Sequence, residues 1–318
     1  MVLTDTNVSR LGYATQVAEA IADAGIDVDI LTIEAGEQSK AVETAATLWE
    51  TLLDIGTDRR SVLVAVGGGV IGDLGGFVAA TFARGIRFFQ IPTTLLAQVD
   101  SSVGGKVGID LPTAKNMVGA FHQPLGVLID TQTLQTLPDD QYASGLGEVV
   151  KYAVSLNAGF FELLEENVAG IRARDSELLR RIVAVCCRIK AKIVEQDEFE
   201  TTGLRALLNY GHTFGHAFES LSGYSLPHGL AVAIGLICAA KLALSRGMID
   251  NALLERQIAL HRALNLLTEP PKELDLRQAI DRMRHDKKSE FGKLRFVLPT
   301  ALGQCKVVDD IDANEIII

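Results

Sequence analysis

Apolar positions in the first 130 residues switch repeatedly between two periods. Short runs rich in β-branched residues, at 28–33 (VDILTI), 61–66 (SVLVAV), 87–92 (RFFQIP) and 126–130 (GVLID), read as buried strands. Residues 9–24 and 39–55 carry apolar positions at helical spacing. Such alternation predicts helices packed on a parallel sheet. From about Leu134 onward strands nearly vanish, and 139–168, 175–196, 207–221, 228–247, 250–264 and 275–285 all read as helices. Near the end, 294–299 (LRFVLP) and 304–308 (QCKVV) flank Gly303 as a small hairpin. The pattern predicts two domains, an α/β domain over 1–132 and a mostly α-helical domain over 133–318.

Composition adds limits to this picture. The 318 residues are 48% hydrophobic and 22% charged, which suits a packed globular chain rather than a disordered one. Acidic residues outnumber basic ones 40 to 30, and the net charge of −10 disfavours nucleic acid and anionic membrane surfaces as partners. An anionic ligand must then be caught by a local cluster of Lys and Arg. Four cysteines without C-x-x-C spacing suit a reducing, cytoplasmic setting. The longest apolar stretch, Leu230 to Ala240, is glycine-broken and falls short of the roughly 20 residues that cross a bilayer. No export signal is read at Met1-Val2-Leu3-Thr4-Asp5.

Two segments carry candidate chemistry. After the strand at 61–66 comes Gly67-Gly68-Gly69-Val70-Ile71-Gly72-Asp73-Leu74-Gly75-Gly76, then an apolar helical run from Phe77 to Phe82. A strand, a glycine turn and a helix start present backbone N–H groups to an anion, which suits a nucleotide pyrophosphate. Tight turns and close helix packing use glycine as well. Asp73 suits a ribose or nicotinamide contact, or a first-turn carboxylate on the helix dipole. Further along, three of the six histidines fall within seventeen residues: His212, His216 and His228. His212 and His216 are i, i+4, a geometry for a metal pair or for a ligand beside an acid/base group. Glu148 would complete a His/His/Glu zinc set, and the alternative is a helix with two surface histidines. Lys106, Arg84 and Lys115-Asn116, the last in a polar turn, stand at element ends beside glycine, where a joint anionic pocket would form.

The strings GGGVIGDLGGF, IPTTLLAQVDSSVGGK, KNMVGAFHQP, GEVVKYA, LNYGHTFGHAFE, PHG and HDKK, in this order, closely resemble the 3-dehydroquinate synthase family of sugar-phosphate cyclases. The resemblance implies a Rossmann-like NAD-binding domain followed by a helical domain for metal and substrate. It implies Glu148, His212 and His228 as ligands of Zn2+, or of Co2+, with His216 touching substrate instead. It also places Asp100, Lys106, Arg84, Asn116, Lys151, Lys190, Arg205, Asn209 and one of Lys287 and Lys288 around the substrate. Segment 197–205 is one residue longer than the family pattern, and Lys190 is assigned in preference to Lys192. For NAD the resemblance points to Asp5, Asn7, Glu37, Lys40, Gly68, Gly69, Asp73, Thr93, Thr94 and Lys115. The implied substrate is an anionic sugar phosphate, 3-deoxy-D-arabino-heptulosonate 7-phosphate of the shikimate pathway, handled by a cytoplasmic homodimer. The implied reaction runs through transient oxidation by NAD, phosphate elimination, re-reduction and an intramolecular aldol closure. The neighbouring alternatives are another sugar-phosphate cyclase and a metal-dependent polyol dehydrogenase.

Overall fold

In the computed structural model the described residues are 1–272, 274, 277–279, 283 and 294–316. Lys287 and Lys288, and most of the expected helix at 275–285, lie outside them. The chain forms two units, Met1–Leu137 and Pro138–Ile318, so the division falls five residues after the expected 132.

In the first unit, β1 (Val2–Asp5), β2 (Ile30–Ile33), β3 (Val62–Gly67) and β4 (Arg87–Pro92) form a parallel sheet in the order β2-β1-β3-β4. Side chains alternate across the sheet, so its two faces are covered by different helices. Leu3, Leu63, Ala65 and Phe88 pack with α3 (Val42–Asp54) and α4 (Gly69–Thr81). Val2, Val66 and Ile91 pack with α1 (Thr6–Arg10) and α2 (Tyr13–Asp23). The expected helix at 9–24 is therefore two helices, broken at Gly12, whose φ is +81°. Strand β1 was not expected, because four residues are too few to show a period.

Three further expectations are corrected here. Segment 126–130 is not a full strand but a single parallel bridge, Gln90 to Val127. Lys115 and Asn116 are not in a turn: they lie in β6 (Ala114–Phe121), which pairs antiparallel with β5 (Lys106–Leu111). Helix α4 starts at Gly69 instead of Phe77. Glycine is a poor helix former, but α4 is buried, and a Cβ on Gly76 would lie 2.9 Å from the Phe88 ring and 3.0 Å from Val107 Cβ. Close packing, rather than an unusual φ, explains the glycines here.

Among the described residues, the second unit is helical apart from connecting loops and a hairpin of β7 (Leu294–Ala301) and β8 (Gln304–Ile311). Its helices are α5 (Asp139–Leu156), α6 (Ala158–Glu166), α7 (Val168–Arg172), α8 (Ser176–Gln196), α9 (His212–Leu221), α10 (His228–Ser245) and α11 (Asn251–Ala263). The single helix expected at 139–168 is three, because Asn157 caps α6 through Phe160 N–H and the chain turns again at Asn167. The helix expected from 207 begins only at His212: a 3₁₀ turn spans Leu204–Asn209, and Tyr210 and Gly211 leave helical geometry. Helix α10 is long and apolar enough to cross a membrane by composition, yet two thirds of it (67%) is buried, and it packs against α5, α9 and β7.

Candidate active site

The carboxyl ends of β2, β3 and β4 gather most residues expected to hold NAD. Gly68 precedes α4, and no side chain caps that helix, so its first-turn N–H groups have no side-chain acceptor from the N-cap residue. Thr93 donates its N–H to the Gly67 carbonyl, and the Thr94 methyl would lie 3.0 Å from a Cβ on Gly68. Buried Lys40 reaches across to α4, with its Nζ 2.6 Å from Asp73 Oδ2 and 2.5 Å from Asn116 Oδ1. Burial disfavours the Lys40 charge, but Asp73, with Glu37 and Asp110 behind it, outweighs burial and the pKa is raised. Lys115 pairs with Glu37 at 3.5 Å. Asp5 caps α1 by accepting from the N–H groups of Asn7 and Val8, while Asn7 itself is exposed. Lys106 is exposed at the start of β5, and Asp100 lies in a π-helical turn at Ala97–Ser101. Arg84 is not part of this cluster: it precedes β4, at the opposite end of a strand roughly 20 Å long.

In the second unit, α5, α9 and α10 converge on one buried carboxylate. Glu148 Oε1 lies 3.4 Å from His212 Nε2 and 3.3 Å from His228 Nε2, and Oε2 lies 2.5 Å from Lys151 Nζ one turn along α5. Glu148 and Lys151 are essentially inaccessible to solvent. One donor atom each from His212, His216 and His228 falls within 4.8 Å of the others. Tetrahedral zinc with bonds of about 2.0–2.1 Å needs ligand atoms about 3.3 Å apart, and the spacings from Glu148 Oε1 to His212 and to His228 meet that requirement. His216 is exposed on the same helix face as His212. Arg205 and Lys190 are buried and Asn209 is exposed. Arg205 donates from Nη1 to the Glu198 carbonyl, and its N–H is held by Asp197.

Each imidazole is oriented from behind. His212 Nδ1 lies 3.2 Å from the Tyr210 carbonyl oxygen, and the Tyr210 hydroxyl lies 3.0 Å from Leu236 O, to which it donates, and 3.1 Å from the Gln257 side-chain amide. His228 Nδ1 lies 3.1 Å from Glu219 Oε2, which sequence reasoning left without a role. The signal was present, since His212, His216 and Glu219 follow i, i+4, i+7 and share a face. Partial burial disfavours the His228 imidazolium, but Glu148 and Glu219 outweigh it and lift its pKa to about 10. Burial dominates at His212 and takes its pKa to about 3.

Glycines seat these donors. A Cβ on Gly147 would lie 3.0 Å from the Gly229 carbonyl carbon, and one on Gly229 would lie 2.6 Å from the Ser144 carbonyl carbon. On Gly211 it would lie 2.8 Å from Leu236 N, and on Gly215 3.1 Å from Val232 N. Helix backbones thus touch beside Glu148, His228, His212 and His216.

The model of the 3-dehydroquinate synthase N-terminal region matches residues 30–144, and that of the C-terminal region matches 145–289. The 3-dehydroquinate synthase of Desulforamulus reducens is 51% identical over 318 residues, which is 100% of this chain and 88% of the relative. This chain belongs to the 3-dehydroquinate synthase family. The enzyme of that name from Rhodopirellula baltica is 50% identical, covering 96% of this chain and 81% of the relative. Among solved structures, 2-epi-5-epi-valiolone synthase from Streptomyces hygroscopicus, with NAD+ and Zn2+ bound, is 28% identical with a TM-score of 0.92 over 99% of this chain and 88% of its own. A 2-deoxy-scyllo-inosose synthase complexed with carbaglucose-6-phosphate, NAD+ and Co2+ is also 28% identical, with a TM-score of 0.87 over 96% of this chain and 84% of its own.

Proposed function

We propose that this chain converts 3-deoxy-D-arabino-heptulosonate 7-phosphate to 3-dehydroquinate and phosphate, using NAD+ and a divalent cation, zinc or cobalt. The observation that carries the reading is Glu148 Oε1 standing within 3.4 Å of both His212 Nε2 and His228 Nε2, at ligand spacing, in a member of this family. Glu148, His212 and His228 would hold the cation. When bound, the cation acidifies substrate hydroxyls and NAD+ takes up and returns a hydride.

The remaining work falls to the chain's own groups. The Tyr210 carbonyl and the Glu219 carboxylate engage Nδ1 of His212 and His228, leaving each Nε2 lone pair for the ion. Lys151 neutralises Glu148 from the side away from the histidines. The uncapped start of α4 suits the NAD pyrophosphate, with Lys40, Asp73, Glu37, Lys115, Asp5, Asn7, Thr93 and Thr94 as its further contacts. Lys106, Asn116 and His216 are assigned to the substrate phosphate, and Arg84, at the opposite end of β4, is left out. Arg205, with its planar fork, and Lys190 are assigned to the carboxylate, and Asp100 and Asn209 to hydroxyls. A cytoplasmic homodimer working in the shikimate pathway completes the reading.

The test is phosphate release from the heptulosonate phosphate at substoichiometric NAD+. Many turnovers per NAD+, without accumulating NADH absorbance, are expected. NADH formed in step with product would refute the reading and favour a polyol dehydrogenase. A second reading, another sugar-phosphate cyclase, is favoured by the close structural match to 2-epi-5-epi-valiolone synthase. Turnover of sedoheptulose 7-phosphate comparable to that of the heptulosonate phosphate would establish it.

A further inference from the structure

Asp110 has no role in anything above, yet the structure makes it the meeting point of two assigned groups. The β5–β6 ladder loses its register between Ile109 and Leu111, so Asp110 sits at a bulge and its backbone is turned away from regular pairing. Its N–H donates instead to the Lys40 carbonyl at 2.7 Å. Its carboxylate Oδ1 accepts the N–H of Asn116 at 2.7 Å. Lys40 Nζ then closes the circuit on Asn116 Oδ1 at 2.5 Å. Three residues from three chain segments therefore form a closed ring of hydrogen bonds, and Lys40 extends it to Asp73 on α4.

The ring also explains a backbone feature. Asn116 has φ +56°, a left-handed conformation that asparagine tolerates better than most residues but that regular strand pairing does not use. The Asp110 carboxylate holds the residue in that conformation, and the turned backbone aims the Asn116 amide at Lys40. Without Oδ1 the strand is free to relax to extended geometry, which would carry the amide away from the ammonium.

We propose that Asp110 is a positioning residue that ties Lys40 to Asn116, so that occupation of the NAD site is transmitted to the group assigned to the substrate phosphate. This rests on the functional reading above. Asp110 is assigned no contact with cofactor or substrate and acts through its neighbours, the ring with Lys40 and Asn116 and the adjacent Glu37 carboxylate.

The experiment measures NAD+ binding by calorimetry and backbone deuterium exchange of the peptide carrying Asn116. Wild-type protein binds NAD+, and NAD+ slows exchange at the Asn116 amide. Asp110→Ala weakens NAD+ binding at least tenfold and abolishes that protection, whereas Asp110→Asn, which keeps an acceptor oxygen, stays within about twofold of wild type. If NAD+ binds wild type but leaves Asn116 exchange unchanged, or if Asp110→Ala binds NAD+ as wild type does, the proposal is overturned. It is overturned equally if Asp110→Asn is as impaired as Asp110→Ala. Should Asp110→Ala not fold, the wild-type exchange decides alone. Failure of wild type to bind NAD+ at all would instead refute the functional reading.

Discussion

Replacing Lys151 by methionine removes a charge from a place water does not reach. Lys151 is 1% exposed and Glu148 0%, with Nζ and Oε2 2.5 Å apart. Removing one partner of a buried pair costs about 3–5 kcal/mol, because the other charge stays behind uncompensated. Here the His228 imidazolium remains 3.3 Å from Glu148 Oε1, which favours the lower end, about 3 kcal/mol. For a unit of this size that is a fall in Tm of roughly 6–12 °C. The assay must see the right unit: the sole tryptophan, Trp49, belongs to the first, so far-UV circular dichroism of chelator-treated protein is the measurement. The sign reverses for metal. A divalent ion on Glu148 supplies the positive charge that methionine lacks, and whatever part of the penalty it removes reappears as tighter binding. If the ion offsets half, about 1.5 kcal/mol, Lys151→Met binds Zn2+ roughly tenfold more tightly than wild type in a chelator competition. A variant that is destabilised without metal yet binds Zn2+ no better would refute the argument that Lys151 and the ion serve the same carboxylate.

Two further outcomes follow from the second unit. The Asp197 carboxylate accepts backbone N–H bonds, that of Thr202 weighing most, with Arg205 and Thr201, and its pKa falls to about 2. A depressed carboxylate stabilises the fold above its unfolded pKa of about 4 and ceases to as pH drops toward 2. Acid melting curves should therefore show wild type losing stability between these values, and Asp197→Asn should be flatter there; parallel curves would refute it. Gly229→Ala would press a methyl group into the Ser144 backbone carbonyl, forcing α5 and α10 apart at a cost of about 3 kcal/mol or more. Its Tm and Zn2+ affinity should both fall, and wild-type values for both would show that the helix contact is not needed.

Much of this architecture was legible wherever one face of an element is buried. Segment 87–92 is strand β4 to the residue, and α8 and α11 begin where Asp175 and Asp250 cap them. The β5–β6 hairpin was missed because its residues are part glycine and part charged, and half-exposed strands of that kind carry no clear apolar period. The breaks at Asn157 and Asn167 were readable as caps but lay inside a continuous apolar pattern. At the site, the spacing of His212 and His216 was visible on one helix, whereas the meeting of Glu148 with His228 depends on how three helices stack. Asp110 was hidden altogether, since a bulge is set by strand register and no local composition announces it.

The glycines beside the donors carry one more consequence. Gly147, Gly211 and Gly229 are each the chain neighbour of a proposed ligand, Gly215 is that of His216, and each is seated against another helix. Side chains relax by hopping between rotamers, but touching main chains have nothing to hop. The gap between Glu148 and the histidines is thus gauged by the thickness of the polypeptide itself. An ion of larger radius could be admitted only by sliding whole helices. Anyone wishing to retune this centre for a different cation would have to rework the dry seam behind the donors and leave the donors alone.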